Sequence, residues 1–292
     1  SWRARAGEAR PGRGEEVNLV VQGPAATAAQ AAELAAIGGA AATNALGPHA
    51  FSLTGAVQRD GIADWCAARR LDHAWVPEGR RFANLRLLAM DMDSTLITIE
   101  CIDELGSFAN MKDRIAAITS QAMRGEIDYP ESLRRRVALL AGLDEEVLQD
   151  VYEEKLRLSP GAETLIESCK KNNISMLLVS GGFSFFTGRL KQRLGFDDTL
   201  SNVLDVEGGK LTGRVLGTIV DAQAKAAKFR QMAQRLGAAR EQTVAIGDGA
   251  NDLKMMAEAG TSIAWRAKPV VRAKATHALD YSGLDGVLNL FA

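Results

Sequence analysis

From residue 84 onward the chain alternates apolar runs of strand length with stretches of helical length, and this alternation restricts the fold more than any other feature. The apolar runs are dominated by Leu, Val, Ile, Met and Ala until they end in polar residues or Gly. Continuous apolar strands separated by helices are typical of a parallel sheet covered on both faces. We therefore predict an α/β fold with a doubly wound parallel sheet. Its strands are expected in LRLLAMD (85–91), ISMLLVSGG (174–182), TVAIGDGAND (243–252, strand and turn) and TSIAW (261–265).

Composition excludes several classes of partner. The formal net charge is −1, so the chain has no basic field that would attract nucleic acid. Its longest apolar runs fall short of the ~20 residues that a membrane-spanning helix needs. The three cysteines, Cys66, Cys101 and Cys169, lie far apart, which favours free thiols in a reducing compartment over disulfides or a zinc site. We expect a cytoplasmic protein that binds neither nucleic acid nor membranes.

The N-terminal part of the chain differs from the rest. Residues 1–16 mix Arg, Gly, Glu and Pro without a period, which predicts a disordered extension. Residues 17–80 predict the order βαββαβ, a small ferredoxin-like α+β domain that resembles ACT-type modules in topology. The favoured interpretation is a packing or homodimerisation module without a ligand, and binding of a small amino acid is the alternative. The remaining residues, 84–292, form the predicted α/β domain.

Two carboxylates stand where the first strand of that domain ends. Asp91 and Asp93 are two residues apart, so strand alternation places them on the same side, where they repel each other unless a cation neutralises them. Asp248 follows another predicted strand, and a parallel sheet brings such carboxyl ends to one crevice. Carboxylate oxygens are ligands that Mg²⁺ prefers. We predict a Mg²⁺ site that involves Asp91, Asp93 and Asp248.

A phosphate-binding set is expected at the same edge of the sheet. Ser180 offers a hydroxyl, and Gly181 and Gly182 allow backbone N–H groups to approach an anion at the start of a helix. Lys225 can supply a cation to the same anion. Taken singly, each feature has an ordinary structural interpretation: an Asp at a strand end is usually a helix cap, SGG is usually a turn, and a single Lys is usually solvated. Together with Mg²⁺ they indicate a phosphoryl-transfer site.

Four short motifs, DMDST (91–95), SGG (180–182), the Lys225 segment (221–229) and GDGAND (247–252), resemble those of the haloacid dehalogenase superfamily. Longer stretches resemble the phosphoserine phosphatase family within it: DMDSTLITIECIDE, AMRGEIDYPESLRRRVALL, VSGGF, GKLTGRV and AIGDGANDLKMMAEAG. The resemblance runs from Leu85 to the C-terminus and does not extend securely to residues 1–80.

The resemblance implies a role for each matched residue. Asp91 is the expected nucleophile and forms an aspartyl-phosphate, while Asp93 protonates the leaving oxygen and then activates water. Mg²⁺ is expected on Asp91, Asp248 and the backbone carbonyl of Asp93. The remaining roles concern the phosphoryl group: Ser180, Gly181, Lys225 and Asn251 bind it, and Asp252 positions Lys225.

Residues 100–158 interrupt the sheet pattern and predict helices that form a cap over the crevice. Tyr129, Leu133, Arg136 and Leu140 share one helical face by spacing, so Arg136 lies in an apolar stripe and needs a partner. An amino-acid substrate would pair its carboxylate with Arg136 and its ammonium with Glu100. The resemblance adds Met123 and Tyr129 as pocket walls. The alternative for Arg136 is an ion pair with a Glu of the same helix.

The expected activity is hydrolysis of the small molecule O-phospho-L-serine, the last step of serine biosynthesis, by a Mg²⁺-dependent phosphatase. One alternative is a phosphatase of the same superfamily that acts on another small phosphomonoester. The other is a non-catalytic amino-acid sensor, which would have no need for Asp91, Asp93, Lys225 and Asp248.

Overall fold

The computed structural model describes residues 17–291, so the disordered extension predicted for residues 1–16 lies outside the described residues. The chain forms two compact units. Within the described residues, one comprises residues 17–88, 160–175 and 232–291, and the other comprises residues 89–159 and 176–231. The domain boundaries expected from the sequence do not follow this division and stay a prediction.

The βαββαβ order predicted for the N-terminal part is confirmed. The elements are β1 (Val17–Gln22), α1 (Ala28–Gly38), β2 (Ala42–Gly47), β3 (Ala50–Thr54), α2 (Ile62–Ala68) and β4 (Asp72–Pro77). Its strands form an antiparallel sheet in the order β2-β3-β1-β4, with Leu19 opposite both Leu53 and Trp75. These three side chains are buried in the local core because alternate residues of β1 and β3 face the helices. Helix α1 begins at Thr27, which forms a capping box with Gln30.

The predicted α/β sheet is also confirmed. Among residues 17–291 its strands have the order β11-β10-β9-β5-β6-β7-β8. Their bounds are β5 (Leu87–Asp91), β6 (Ser175–Phe183), β7 (Asp198–Glu207), β8 (Lys210–Leu216), β9 (Thr243–Gly247), β10 (Thr261–Trp265) and β11 (His277–Leu279). Strands β5, β9 and β10 are buried along their whole length, as strands covered on both faces must be.

One edge of this sheet departs from the purely parallel prediction. Strand β8 pairs antiparallel with β7, whereas β7 pairs parallel with β6. Gly208 and Gly209 join β7 to β8, and both have positive φ, +58° and +76°. Two consecutive residues with positive φ are what a tight two-residue hairpin turn requires, and Gly adopts that conformation without steric cost.

Most of the segment between β5 and β6 is helical, as expected for residues 100–158. It contains α3 (Cys101–Phe108), α4 (Lys112–Met123), α5 (Tyr129–Ala138) and α6 (Glu146–Asp150). Helix α5 begins at Asp128, whose Oδ1 accepts a hydrogen bond from the Glu131 amide at 2.8 Å. Leu140 is buried as predicted but lies beyond the end of α5.

Of the other helices, α7 precedes β6 and the rest follow the later strands, and none of them changes the predicted fold class. They are α7 (Ala162–Lys171), α8 (Ser184–Leu194), α9 (Ala222–Arg235), α10 (Leu253–Glu258) and α11 (Pro269–Arg272). Within residues 17–291 no helix is both long and apolar enough to cross a membrane.

Asp72, at the start of β4, is a buried carboxylate that holds a backbone turn of the same compact unit. Its Oδ1 accepts a hydrogen bond from the amide of Asp280 at 2.7 Å. Its Oδ2 accepts bonds from the amides of Tyr281 and Ser282 at 3.1 and 2.8 Å. Hydrogen bonds to an ionised acceptor are stronger than neutral ones, so this carboxylate stabilises the turn that follows β11.

Asp72→Asn is therefore expected to lower the free energy of unfolding by about 1.5–3 kcal/mol, the range for bonds to a charged group. The amide has a single acceptor oxygen and turns an N–H donor toward other donors. Urea unfolding followed by circular dichroism measures the effect. Asp60→Asn, at an exposed position, is the matched control and should change stability by less than about 0.5 kcal/mol. An equal loss of unfolding free energy in Asp72→Asn and Asp60→Asn would contradict the role of Asp72.

Candidate active site

Asp91 and Lys225 form a buried ion pair at the carboxyl end of β5. The Lys225 Nζ lies 2.8 Å from Asp91 Oδ1, and only 1% of the lysine side chain is exposed. The same oxygen accepts a hydrogen bond from the Met92 amide at 2.8 Å. Burial of a lysine at this level requires a charge partner. The structure thus brings together two residues that are 134 positions apart in the sequence and were predicted to act on one phosphoryl group.

Asp93 lies on the turn that follows β5, where Ser94 has a φ of +55°. Its Oδ1 accepts a hydrogen bond from the Cys101 amide at 2.9 Å, and its Oδ2 accepts one from the Ser180 hydroxyl at 3.1 Å. Burial raises the pKa of Asp93, although the hydrogen bonds from Cys101 and Ser180 and the Lys225 charge act in the opposite direction. A raised pKa keeps the proton on this carboxyl at a pH where an exposed Asp would have lost it.

The Ser180-Gly181-Gly182 segment ends β6 beside Asp93. The amide of Gly182 donates a hydrogen bond to Ser180 Oγ at 2.7 Å. A Cβ added at Gly182 would lie 2.6 Å from Asp93 Oδ2, and one at Gly181 would overlap the Tyr129 hydroxyl. A larger residue at either position would therefore displace the Tyr129 hydroxyl or the Asp93 carboxylate from its place. The structure differs from expectation in one respect: both glycines belong to the strand, and helix α8 begins only at Ser184.

The turn after β9 carries two further carboxylates, those of Asp248 and Asp252. Carboxylate oxygens are the donors that suit Mg²⁺, so the chemistry of Asp91 and Asp248 fits the ion.

Comparison with known proteins agrees with the geometry. Residues 88–257 match the family model of the haloacid dehalogenase-like hydrolases. The chain belongs to the haloacid dehalogenase-like hydrolases. It is similar to a phosphoserine phosphatase of Polaromonas sp., with 50% identity over 215 residues, 72% of this chain and 91% of that protein.

Two solved structures of this kind are similar to the chain. One is a probable phosphoserine phosphatase from Vibrio cholerae without ligand, with a TM-score of 0.83 and 36% identity over 94% of this chain and 86% of that one. The other is a phospho-aspartyl intermediate analogue of phosphoserine phosphatase, with a TM-score of 0.67 and 36% identity over 71% of this chain and 99% of that one. The similarity to the Vibrio cholerae structure extends over nearly the whole chain. It therefore includes the N-terminal part, to which the family resemblance read from the sequence did not securely extend.

Tyr129, the first residue of α5, connects the helical segment of this haloacid dehalogenase-like hydrolase to the Ser180-Gly181-Gly182 strand end. Its hydroxyl donates a hydrogen bond to the Gly181 carbonyl at 3.0 Å. Burial raises the pKa of Tyr129 to about 12, so the hydroxyl keeps its proton and remains a donor. The sequence predicted only that this side chain lines the pocket.

Arg136 lies on the half-buried side of α5, whereas Arg134 and Arg135 are exposed. The Arg136 Nε donates a hydrogen bond to the Ser132 carbonyl at 3.3 Å. Among residues 17–291 Arg136 has no carboxylate partner. The ion pair with a Glu of the same helix, which was the alternative for Arg136, is instead formed by Arg135 and Glu131 at 2.7 Å.

The two other expected substrate contacts are exposed. Glu100 lies just before α3, and its Oε1 accepts a hydrogen bond from Ser94 Oγ at 2.7 Å. Met123 ends α4 and is 69% exposed. The hydrogen bond links Glu100 to the turn that carries Asp93, while no described contact places Met123 against the pocket. Their roles as substrate contacts stay predictions.

The segment after β9 carries the last predicted residues. Asp252 is fully buried, and its Oδ2 accepts a hydrogen bond from the Gly249 amide at 3.0 Å. The Asp248 carbonyl accepts a bond from the Lys268 amide at 3.1 Å. These bonds fix the turn that presents both carboxylates. The roles of Asn251 toward phosphate and of Asp252 toward Lys225 stay predictions.

Sequence reasoning missed Asn202, a residue of β7 that is only 1% exposed. Its Nδ2 donates a hydrogen bond to the Gly181 carbonyl at 2.8 Å, and its Oδ1 accepts one from the Val220 amide at 2.8 Å. The available signal was an asparagine inside a strand, where this residue type is depleted. That signal is weak because asparagine also occurs on exposed strand faces.

Proposed function

We propose that this chain hydrolyses O-phospho-L-serine to L-serine and inorganic phosphate in a Mg²⁺-dependent reaction. One observation carries the proposal: the Asp91–Lys225 pair and the Asp93–Ser180 pair lie at the ends of neighbouring strands β5 and β6. A nucleophile, a phosphate-binding cation and a carboxyl of raised pKa thereby occupy one site. The similarity to a phosphoserine phosphatase at 50% identity supports the choice of substrate.

The first step is attack by an Asp91 oxygen on phosphorus, which forms an aspartyl-phosphate and releases the serine. Lys225 Nζ, the Ser180 hydroxyl and the Gly181 amide would bind the phosphoryl oxygens. Lys225 is already 2.8 Å from Asp91 Oδ1, so it can contact both the nucleophile and the charge that develops on the phosphoryl group. A covalent intermediate divides one difficult displacement into two easier ones.

Asp93 would act as the acid and then as the base. It donates its proton to the seryl oxygen as that oxygen leaves, and in the second step it removes a proton from the water that attacks the aspartyl-phosphate. The first role requires the protonated carboxyl, which the raised pKa favours. The hydrogen bonds from the Cys101 amide and Ser180 hydroxyl keep the side chain in one orientation.

Asp91, Asp248 and the backbone carbonyl of Asp93 would hold Mg²⁺, which when bound offsets the negative charge of the carboxylates and the phosphoryl group. The hard carboxylate oxygens that Asp91 and Asp248 offer support this assignment. Asp252 would position Lys225.

Substrate selection would come from Arg136 and Glu100. Arg136 has no carboxylate partner among the described residues, and we assign it the carboxylate of the substrate. Glu100 would pair with the substrate ammonium. Its hydrogen bond from Ser94 Oγ holds it near the turn of Asp93 and supports this role.

We further propose a cytoplasmic location and a homodimer formed through the N-terminal sheet. All three cysteines are free and buried, in keeping with a reducing compartment. Strand β2 lies at the edge of the N-terminal sheet and is largely exposed, and an open edge can pair with a second chain. A monomeric mass in sedimentation equilibrium would exclude the dimer.

Phosphate release from O-phospho-L-serine, measured with Mg²⁺, with EDTA and with Ca²⁺ in place of Mg²⁺, tests the activity. We expect release with Mg²⁺, its loss in EDTA and its recovery when Mg²⁺ is restored. Ca²⁺ should fail to support turnover, because it takes more oxygen ligands at longer distances and can occupy both Asp91 oxygens. Release in EDTA at the same rate would contradict the metal requirement.

A substrate panel separates the alternatives. Faster hydrolysis of another small phosphomonoester would reassign the substrate within the same family. Absence of turnover with every ester, together with serine binding, would indicate a sensor.

A further inference from the structure

Asn202 occupies a position where β6 and β7 lose their regular pairing. The parallel register runs from Leu177 opposite Asp198 to Val179 opposite Leu200, and then shifts so that Phe183 lies opposite Asn202. The shift frees the Ser180-Gly181-Gly182 backbone from the regular ladder. Instead of a backbone N–H of the neighbouring strand, the side-chain amide of Asn202 donates a hydrogen bond to the Gly181 carbonyl at 2.8 Å.

The other end of the Asn202 amide contacts a different element. Its Oδ1 accepts a hydrogen bond from the Val220 amide at 2.8 Å. Val220 directly precedes Asp221, whose Oδ1 accepts a bond from the Ala224 amide at 2.8 Å and so caps the first turn of α9. That turn carries Lys225, whose amide donates to the Asp221 carbonyl at 3.0 Å.

Asn202 therefore links the two elements that would bind the phosphoryl group. A glycine pair has more backbone freedom than any other dipeptide, so external contacts must hold the backbone at Gly181 in place. Lys225 is buried and reaches the site from the first turn of α9, so its position depends on how that helix starts. Loss of the link would let the spacing between the two elements vary.

We infer that Asn202 is a positioning residue, which holds Gly181 and the start of α9 at the separation needed for the Gly181 amide and Lys225 to bind one phosphoryl group. The inference rests on the proposed function, since it assigns phosphate to these two groups. Asn202 does not contact the substrate in this scheme. Tyr129 supports the same carbonyl from α5, so the Gly181–Gly182 peptide is held from two sides.

A purely structural role is the alternative, because a buried amide that satisfies two backbone groups also stabilises the fold. The two roles differ in what they change. A structural residue alters the free energy of unfolding but leaves the folded site intact. A positioning residue weakens phosphate binding in molecules that remain folded.

Asn202→Asp separates the two hydrogen bonds of the side chain. The carboxylate can still accept from the Val220 amide but turns an oxygen toward the Gly181 carbonyl, which it cannot bind. Asn202→Ala removes both bonds without adding charge and serves if the Asp variant does not fold. Asn172→Asp is the matched control, because its Nδ2 also donates to a backbone carbonyl, that of Ser168, at 2.8 Å.

The experiment uses the chain of residues 1–292 with Mg²⁺ and titrates inorganic phosphate by calorimetry. Turnover of O-phospho-L-serine and p-nitrophenyl phosphate and urea unfolding are measured in parallel. The Asn202 variants should bind phosphate about 10-fold more weakly or worse, and kcat/KM should fall about 100-fold with both esters, as expected for displaced binding groups. Asn172→Asp should match the wild type in phosphate affinity and turnover.

Three results would overturn the inference. The first is wild-type phosphate affinity in folded Asn202 variants, whatever their stability. The second is an equal loss in Asn172→Asp. The third is failure of both Asn202 variants to fold, which would show that the residue serves the fold. If the wild type binds phosphate but does not hydrolyse phosphoserine, and the variants bind more weakly, the proposed substrate fails while the positioning role stands.

Discussion

Asp91→Asn is expected to reduce phosphoserine turnover by about four orders of magnitude or more, the scale seen when a catalytic nucleophile is removed. The amide cannot attack phosphorus, so no aspartyl-phosphate forms. Rapid quenching with radiolabelled substrate should trap labelled protein for the wild type and none for the variant. The substitution also deprives the buried Lys225 of its carboxylate, and a lower free energy of unfolding is expected as well.

Two controls keep this result interpretable. Circular dichroism and gel filtration establish that the Asp91→Asn protein is folded at the assay temperature. Asp60→Asn, at an exposed position, should leave turnover and labelling unchanged. Near-normal turnover of folded Asp91→Asn, or covalent label that persists in it, would exclude Asp91 as the nucleophile.

Arg136→Ala is expected to cost about 2–4 kcal/mol in kcat/KM for phosphoserine, the range for removing one partner of a buried charge pair. The substrate carboxylate would enter the site without a cation to pair with. Turnover of p-nitrophenyl phosphate, which has no carboxylate, should change little. The ratio of kcat/KM for phosphoserine to kcat/KM for p-nitrophenyl phosphate separates an effect on carboxylate binding from an effect on catalysis. Arg136→Lys should recover only part of the loss, because an ammonium cannot form the two parallel bonds of a guanidinium.

The neighbouring arginines provide matched controls for this prediction. Arg135 is exposed and pairs with Glu131, so Arg135→Ala removes a surface ion pair worth about 0.3–0.5 kcal/mol and should leave both substrates unaffected. Arg134→Ala, also at an exposed position, should behave in the same way. If Arg136→Ala lowered kcat/KM equally with both substrates, the residue would hold α5 in place and would not bind the serine carboxylate.

The features that sequence reasoning predicted are those encoded in local pattern. Continuous apolar runs predicted β5, β9 and β10 because strands covered on both faces cannot contain exposed polar positions. The proximity of Asp93 and Ser180 followed from the rule that carboxyl ends of parallel strands meet at one edge. The inward direction of Arg136 followed from helical spacing.

Other features of the site depend on pairings between residues distant in sequence. The register shift at Val179–Phe183 leaves the Gly181 carbonyl to Asn202 and Tyr129, which lie 21 and 52 positions away. No local periodicity specifies where such a shift occurs. The same holds for the Asp72 carboxylate, whose amide partners are more than 200 positions away.

The sequence by itself determined the fold class, the element order and the residue types at the strand ends, because burial and strand alternation act on neighbouring residues. Only the tertiary structure decided which hydrogen-bond partners the site residues take. Asp93 accepts bonds from the Cys101 amide and the Ser180 hydroxyl, and the Gly181 carbonyl accepts bonds from Asn202 and Tyr129. The physical reason is that hydrogen-bond partners are assigned by distance and orientation in the folded chain, which the spacing of residues along a sequence does not specify.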